Sequence, residues 1–105
     1  MKVKVFSIEP TSEKGRFQVT LLIGQGQHKF AMTVESFLVG DRELQVTNGD
    51  RDFRETFKFN QIVATDISKL VSKVRNGEVV KLPIDVGEFN SEFPQVTLPQ
   101  LTTNN

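Results

Sequence analysis

An α+β fold is predicted for this chain: an antiparallel β-meander of about five strands, with one α-helix in the C-terminal half packed on one face. Three observations indicate it. Residues 16 to 39 alternate apolar and polar side chains in two long runs separated by Gly24 and Gly26, as in a β-hairpin. Only residues 66 to 77 carry apolar side chains at helical spacing. A last apolar run contains Pro83, which cannot donate a ladder hydrogen bond and therefore favours a sheet edge.

The length and composition of the chain bound its organisation. Its 105 residues suffice for one hydrophobic core, and we divide them into an α+β domain, residues 1 to 86, and an extended C-terminal arm, residues 87 to 105. Basic and acidic residues number 13 each, so no bulk attraction to nucleic acid or anionic membrane is expected. The absence of cysteine excludes disulfides and thiolate metal ligands and favours a cytoplasmic location.

The predicted helix covers residues 66 to 77 and has signals at both ends. Its apolar stripe consists of Ile67, Leu70, Val71 and Val74. Thr65 or Asp66 can cap the N-terminus, and Gly77 can adopt the left-handed conformation that ends many helices. An alternative remains open at this stage, because Asn76–Gly77 is also a typical two-residue hairpin loop.

The strands before the helix are predicted from alternation. Residues 2 to 8 form a first strand whose buried face changes near Val5, as at a β-bulge. The next two strands cover residues 16 to 23 and 28 to 39, and their inward side chains are Phe17, Val19, Leu21, Ile23, Phe30, Met32 and Val34. Alternation breaks at residues 36 to 39, so either both faces are apolar there or the strand bends.

A second hairpin is predicted around Asn48–Gly49, a dipeptide typical of type I′ turns. It would join residues 43 to 47 to a strand at residues 50 to 59 and place Leu44 opposite Phe53. In that strand Phe53, Phe57 and Phe59 share one face, and Arg54, Thr56 and Lys58 share the other. A final edge strand is predicted at residues 78 to 86.

The sequence offers no combination of residues typical of an enzyme. His28 is the single histidine, and no serine occurs in a nucleophile-elbow setting. Asn48, Asp50 and Asp52 lack the glycine and distal glutamate of a calcium loop. We therefore expect no catalytic residue, no metal site and no cofactor.

Function is expected to reside in surfaces. The helix covers one sheet face, so the other face is free, covered by the arm, or used for binding. The arm carries apolar residues that either fold back on the sheet or contact another chain: Phe89, Phe93, Val96 and Leu98. We expect a non-enzymatic binding or adaptor module that acts through the open sheet face and the arm, as a homodimer.

The alternative expectation is a module that binds single-stranded nucleic acid. Arg51, Arg54 and Lys58 would form a basic strand face, interleaved in sequence with Phe57 and Phe59. Two features weaken it. In a regular strand Arg54 and Lys58 lie on the face opposite the rings, and the net charge is zero.

Overall fold

The computed structural model describes residues 1–89, which form a single antiparallel sheet covered on one face by two helices. The strands are β1 (Lys2–Pro10), β2 (Arg16–Ile23), β3 (Gly26–Val39), β4 (Arg42–Gly49) and β5 (Ile84–Glu88), and the helices are α1 (Arg51–Thr56) and α2 (Gln61–Arg75). The spatial order β4-β3-β2-β1-β5 places β4 and β5 at the two edges. The predicted α+β class with an antiparallel meander is confirmed.

The predicted strands β1 to β3 are confirmed together with their buried faces. All seven inward residues predicted on β2 and β3 are buried in the core. The pairing of β1 with β2 shifts register between Val5 and Ser7, so the bulge predicted near Val5 is present. Because the bulge adds a residue, burial passes from Val5 to Ile8 and leaves Phe6 exposed.

The hairpin predicted at Asn48–Gly49 is wrong. The chain leaves β4 at Gly49 and enters α1, where the Asp50 carboxylate accepts hydrogen bonds from the amides of Phe53 (2.8 Å) and Ala31 (3.0 Å). Asp50 is therefore a helix N-cap that also holds α1 against β3. Gly49 is required for close approach, because a Cβ at this position would collide with the Phe53 ring.

The core stripe predicted on the helix is confirmed, but the helix begins earlier than predicted. α2 starts at Gln61 with Asn60 as N-cap residue, so neither Thr65 nor Asp66 is the cap. The extra turn adds Val63 and Ala64 to the buried face, which also contains Ile67 and Val71, while Leu70 and Val74 pack at its margin. The first turn carries no acidic residue or side-chain cap that would mark this start in sequence.

The C-terminus of α2 has the predicted glycine stop. Gly77 has φ +83°, its amide donates to the Val74 carbonyl (3.0 Å), and the Glu78 amide donates to the Lys73 carbonyl (2.9 Å). These two bonds make a Schellman motif. The alternative hairpin at Asn76–Gly77 is therefore wrong.

The last strand lies at a sheet edge, as predicted, but it is shorter and displaced along the chain. Residues 78–83 are not in a strand, and β5 pairs with β1 from Ile84 to Glu88. The strand thus includes the first two residues of the predicted arm, Gly87 and Glu88. The Asp85 carboxylate accepts a hydrogen bond from the Gly87 amide (2.9 Å) and lies 3.5 Å from Lys2 Nζ. The hydrogen bond, and to a smaller extent the Lys2 charge, hold the pKa of the Asp85 carboxyl below its usual range. The division into domain and arm stays a prediction.

Candidate binding surface

The β3–β4 hairpin projects beyond the rest of the sheet. β2 pairs with β3 only as far as Thr33, and the last contact from that side is the Val34 amide to the Gly15 carbonyl (2.8 Å). Among residues 1–89, residues 35–39 of β3 therefore have β4 as their only neighbouring strand. Residues 35–39 of β3 and residues 42–46 of β4, at the tip of the hairpin, therefore form a two-stranded ribbon with two solvent-facing sides.

The side of the ribbon opposite the helices carries four apolar side chains, with Arg42 opposite one of them, Val39, and Glu35 opposite another, Val46. Phe37 lies directly across from Leu44, and Val39 and Val46 are the next residues on the same face. We call these four residues the hairpin patch: Phe37, Val39, Leu44 and Val46. All four are exposed although they are large and apolar. The break in alternation at residues 36 to 39 therefore reflects two exposed faces, since Leu38 points to the other side.

The helix side of the ribbon is held by a polar network. The Gln45 side chain accepts hydrogen bonds from Ser72 Oγ (3.0 Å) and Asn76 Nδ2 (3.1 Å), and its amide nitrogen donates to Asn76 Oδ1 (2.8 Å). These bonds tie β4 to the last turn of α2. Because the ribbon is anchored on this side, the hairpin patch faces solvent on the other.

The remainder of the open sheet face is mainly polar. The open face is the side of the sheet away from α1 and α2, and on β2 and β3 it presents Arg16, Gln18, Lys29, Thr33 and Glu35, with the half-buried Leu22 and Ala31 among them. Across β2, β3 and β4, the exposed large apolar side chains of this face are concentrated at its hairpin end. This contrast sets the hairpin patch apart from single exposed apolar residues such as Ile62 and Val79.

Of the residues predicted to bind a partner, the structure describes Phe89 alone. Its ring packs edge-on against Phe57 at 5.8 Å between centroids, on the helix side of the sheet. Its amide donates to the Met1 carbonyl (2.6 Å), so it continues the pairing of β5 with β1. Phe93, Val96 and Leu98 lie outside the described residues. The role of these four as partner contacts stays a prediction.

The basic residues of the alternative hypothesis do not lie on a strand. Arg51 and Arg54 are in α1, and Lys58 lies in the turn that follows it, so the prediction of a basic strand face is wrong. The reason is periodicity. Phe53 and Phe57 are four residues apart, a spacing that fits one face of a strand and one face of a helix equally well.

The structure nevertheless brings two of these cations together. Arg54 and Lys58 line a groove of about 530 Å³ between α1, α2 and the end of β4. Lys58 Nζ also lies 4.0 Å from Glu55 and 5.3 Å from the centroid of the exposed Phe59 ring. Arg51 is not among the residues lining the groove. This groove combines residues from three elements, and no local sequence pattern signals it.

His28 is exposed at the start of β3, and its ring stacks near that of Phe30, with 6.3 Å between the centroids. Within residues 1–89, histidine, aspartate and glutamate side chains form no group of three or more that would hold a metal ion.

A comparison with protein-family models gives no match, and neither does a comparison with curated proteins. In the described part of the chain, no helix has the length and apolar character needed to cross a membrane.

Proposed function

We propose that this protein is a non-enzymatic binding or adaptor module, active as a homodimer in the cytoplasm. Its working surface is the open sheet face, together with the arm residues Phe89, Phe93, Val96 and Leu98. The observation that carries the proposal is the hairpin patch. Four adjacent large apolar side chains at the end of a projecting ribbon are an unusual use of solvent-exposed surface unless a partner covers them.

The position of the patch supports binding rather than core formation. The sheet already buries its other face under α1 and α2, so the hairpin patch adds nothing to the core of its own domain. Polar residues border it on β2 and β3, which matches the apolar centre and polar rim of protein interfaces. The Gln45 network fixes the ribbon beforehand, so little backbone ordering is required on association.

The proposal predicts that Leu44→Ser weakens self-association at least about tenfold, because a buried leucine contact contributes about 1.5 kcal/mol or more. The control is Leu38→Ser. Leu38 is the more exposed of the two, 79% against 43%, but it lies on the opposite face of the ribbon. Analytical ultracentrifugation of both variants measures the dimer dissociation constant. Equal effects of the two substitutions, or none, would contradict a role for the open face.

Binding of single-stranded nucleic acid is the second candidate function, and one observation favours it. Arg54 and Lys58 share the groove next to the exposed ring of Phe59, and a cation beside an aromatic face is the usual platform for a stacked base. Arg51, on the same helix, would add a third cation. The nearby Glu55 partly offsets this charge.

On this second candidate, an oligothymidylate should bind with an affinity that falls steeply as salt rises. Replacing Arg54 and Lys58 by Ala should reduce the slope of log K against log salt by about 1.4, since each phosphate contact to a single strand contributes about 0.7. The control is the double replacement of Lys69 and Lys73, which line a different groove beside β5. No measurable oligonucleotide binding at low salt would exclude this function.

A further inference from the structure

β4 is a free sheet edge, because it pairs only with β3 among residues 1–89. The outward backbone groups follow from one hydrogen bond. The Asp50 amide donates to the Ala31 carbonyl (2.9 Å), so this opposed pair is of the hydrogen-bonded kind. Such pairs alternate along an antiparallel ladder. Even-numbered residues of β4 therefore bond to β3, and the amides and carbonyls of Glu43, Gln45 and Thr47 point away from the sheet.

The sequence of this edge is complementary to itself in one antiparallel register. If Gln45 lies opposite Gln45 of a second copy, each Leu44 lies opposite a Val46, Glu43 opposite Thr47, and Arg42 opposite Asn48. Three opposed pairs on the outward-pointing positions then exchange hydrogen bonds. Both apolar positions of β4 meet an apolar partner, and no charge faces a like charge or an apolar side chain.

The neighbouring registers are poorer. Moving the partner strand by two residues in one direction places Arg42 opposite Val46 and leaves fewer residues paired. Moving it by two residues in the other direction places Leu44 opposite Asn48, so an apolar pair is lost. A shift by a single residue would put an outward amide opposite a residue whose amide is already bonded to β3. The register with Gln45 on the two-fold axis is the one that satisfies both the backbone and the side chains.

The arm residues predicted to bind a partner, Phe93, Val96 and Leu98, are too few residues from Phe89 to reach Phe37 in the hairpin patch. Phe89 bonds to Met1, close to the row of the sheet where β3 begins, whereas Phe37 is eleven residues further along β3. This is about 36 Å along the strand, three strands across and on the other face. Leu98 is nine residues from Phe89 and reaches at most about 32 Å. A second copy, which brings its own β4, is free of this limit.

We propose that two copies pair β4 with β4 in this register and form a ten-stranded antiparallel sheet around a two-fold axis perpendicular to it. Both pairs of helices lie on one side, and the two hairpin patches join into one apolar platform on the other. The inference rests on the homodimer of the proposed function and identifies its contact. It also explains how a small ribbon becomes a surface large enough to bind an apolar partner.

The first test is Gln45→Pro in the full-length chain. Proline removes the outward amide at the centre of the interface and sets its ring against the second copy, so the dimer dissociation constant should rise at least about tenfold. Gln45→Ala is the matched control, because it loses the same bonds to Ser72 and Asn76 but keeps the amide. Ultracentrifugation should show a dimer for Gln45→Ala and a monomer for Gln45→Pro at the same concentration.

The second test fixes the register by cross-linking. The natural sequence has no cysteine, so a disulfide can join only introduced residues. Leu44 and Val46 of opposite copies form a non-hydrogen-bonded pair with Cα atoms about 4.5 Å apart, within disulfide range. Two copies of Leu44, or two of Val46, lie about 8 Å apart on the diagonal and are out of range. Mixed Leu44→Cys and Val46→Cys chains should cross-link under oxidation much faster than either variant alone.

The outcomes separate this inference from the proposed function. A natural chain that is monomeric at all concentrations overturns both. A dimer that survives Gln45→Pro but is weakened by Leu44→Ser overturns the edge pairing and leaves the open face as the interface. Efficient cross-linking of Leu44→Cys with itself overturns the register. The complete inference is supported if Gln45→Pro loses the dimer while Gln45→Ala keeps it, and if cross-linking occurs only when Leu44→Cys and Val46→Cys chains are mixed.

Discussion

Ile67→Asp is expected to unfold the protein. Ile67 is fully buried in the centre of α2, where it packs on the sheet core. Removing a buried isoleucine costs about 2 to 5 kcal/mol, and an unpaired carboxylate in its place adds a further desolvation cost of several kcal/mol. The sum approaches the whole stability of a domain of this size, about 5 to 15 kcal/mol. Circular dichroism at 25 °C should show loss of the native spectrum.

The control for this prediction is Ile62→Asp, the same substitution on the same helix. Ile62 is 81% exposed and points away from the sheet, so its replacement should change the free energy of unfolding by about 0.5 kcal/mol or less. The pair tests which face of α2 is buried. A folded Ile67→Asp protein, or an unfolded Ile62→Asp protein, would contradict the packing of α2 described above.

Phe57→Ala is expected to lower the free energy of unfolding by about 3 to 5 kcal/mol. The Phe57 ring is 1% exposed and contacts the rings of Phe30, Phe53 and Phe89 at centroid distances of 4.8 to 6.1 Å. Its removal leaves a cavity where α1, the sheet and the end of β5 meet. Urea denaturation followed by circular dichroism gives the loss directly.

Phe59→Ala is the matched control and decides the structure of residues 50 to 59. Phe59 is 62% exposed, and its cation–π contact with Lys58 contributes at most about 1 kcal/mol. If the segment were a strand, Phe57 and Phe59 would share a face and the two substitutions would cost similar amounts. A large difference is expected from α1 and its following turn, and similar losses would restore the strand.

Most of the fold could be predicted from the sequence because its strong signals were all hydrophobic periodicities. In β2 the buried apolar residues Phe17, Val19, Leu21 and Ile23 occupy every second position of an eight-residue segment, a pattern that no helix face can imitate. The stripe from Ile67 to Val74 favoured a helix, although Asn76–Gly77 left a hairpin open. Each of these segments contains enough repeats to distinguish a period of 2 from a period of 3.6.

The segment from Asn48 to Phe59 failed for two physical reasons. Its aromatic residues Phe53 and Phe57 fit both periods. The Asn48–Gly49 pair looked like a turn, yet Gly49 is needed for contact with the Phe53 ring and Asp50 for two hydrogen bonds, one of them to β3. Contacts between elements distant in sequence leave no periodic trace, and turn propensity is the stronger local signal.

The candidate site was only partly foreseen. The break in alternation at residues 36 to 39 indicated either two apolar faces or a bend, and the matching residues Leu44 and Val46 were assigned to pair with the strand predicted at residues 50 to 59. Their true partner became visible only with the β3–β4 register. The free edge of β4 follows from the position of that strand in the sheet, which depends on the helical state of residues 51–56.

The measurement that tests the binding surface most directly is the solution mass of the full chain and of a chain ending at Phe89, by light scattering at low and high salt. We expect twice 11.9 kDa for the full chain, a correspondingly dimeric shorter chain, and little change with salt, because the proposed contact consists of backbone bonds and apolar side chains of β4. A dimer lost on shortening would transfer the interface to the arm, and monomers in every condition would contradict the homodimer itself.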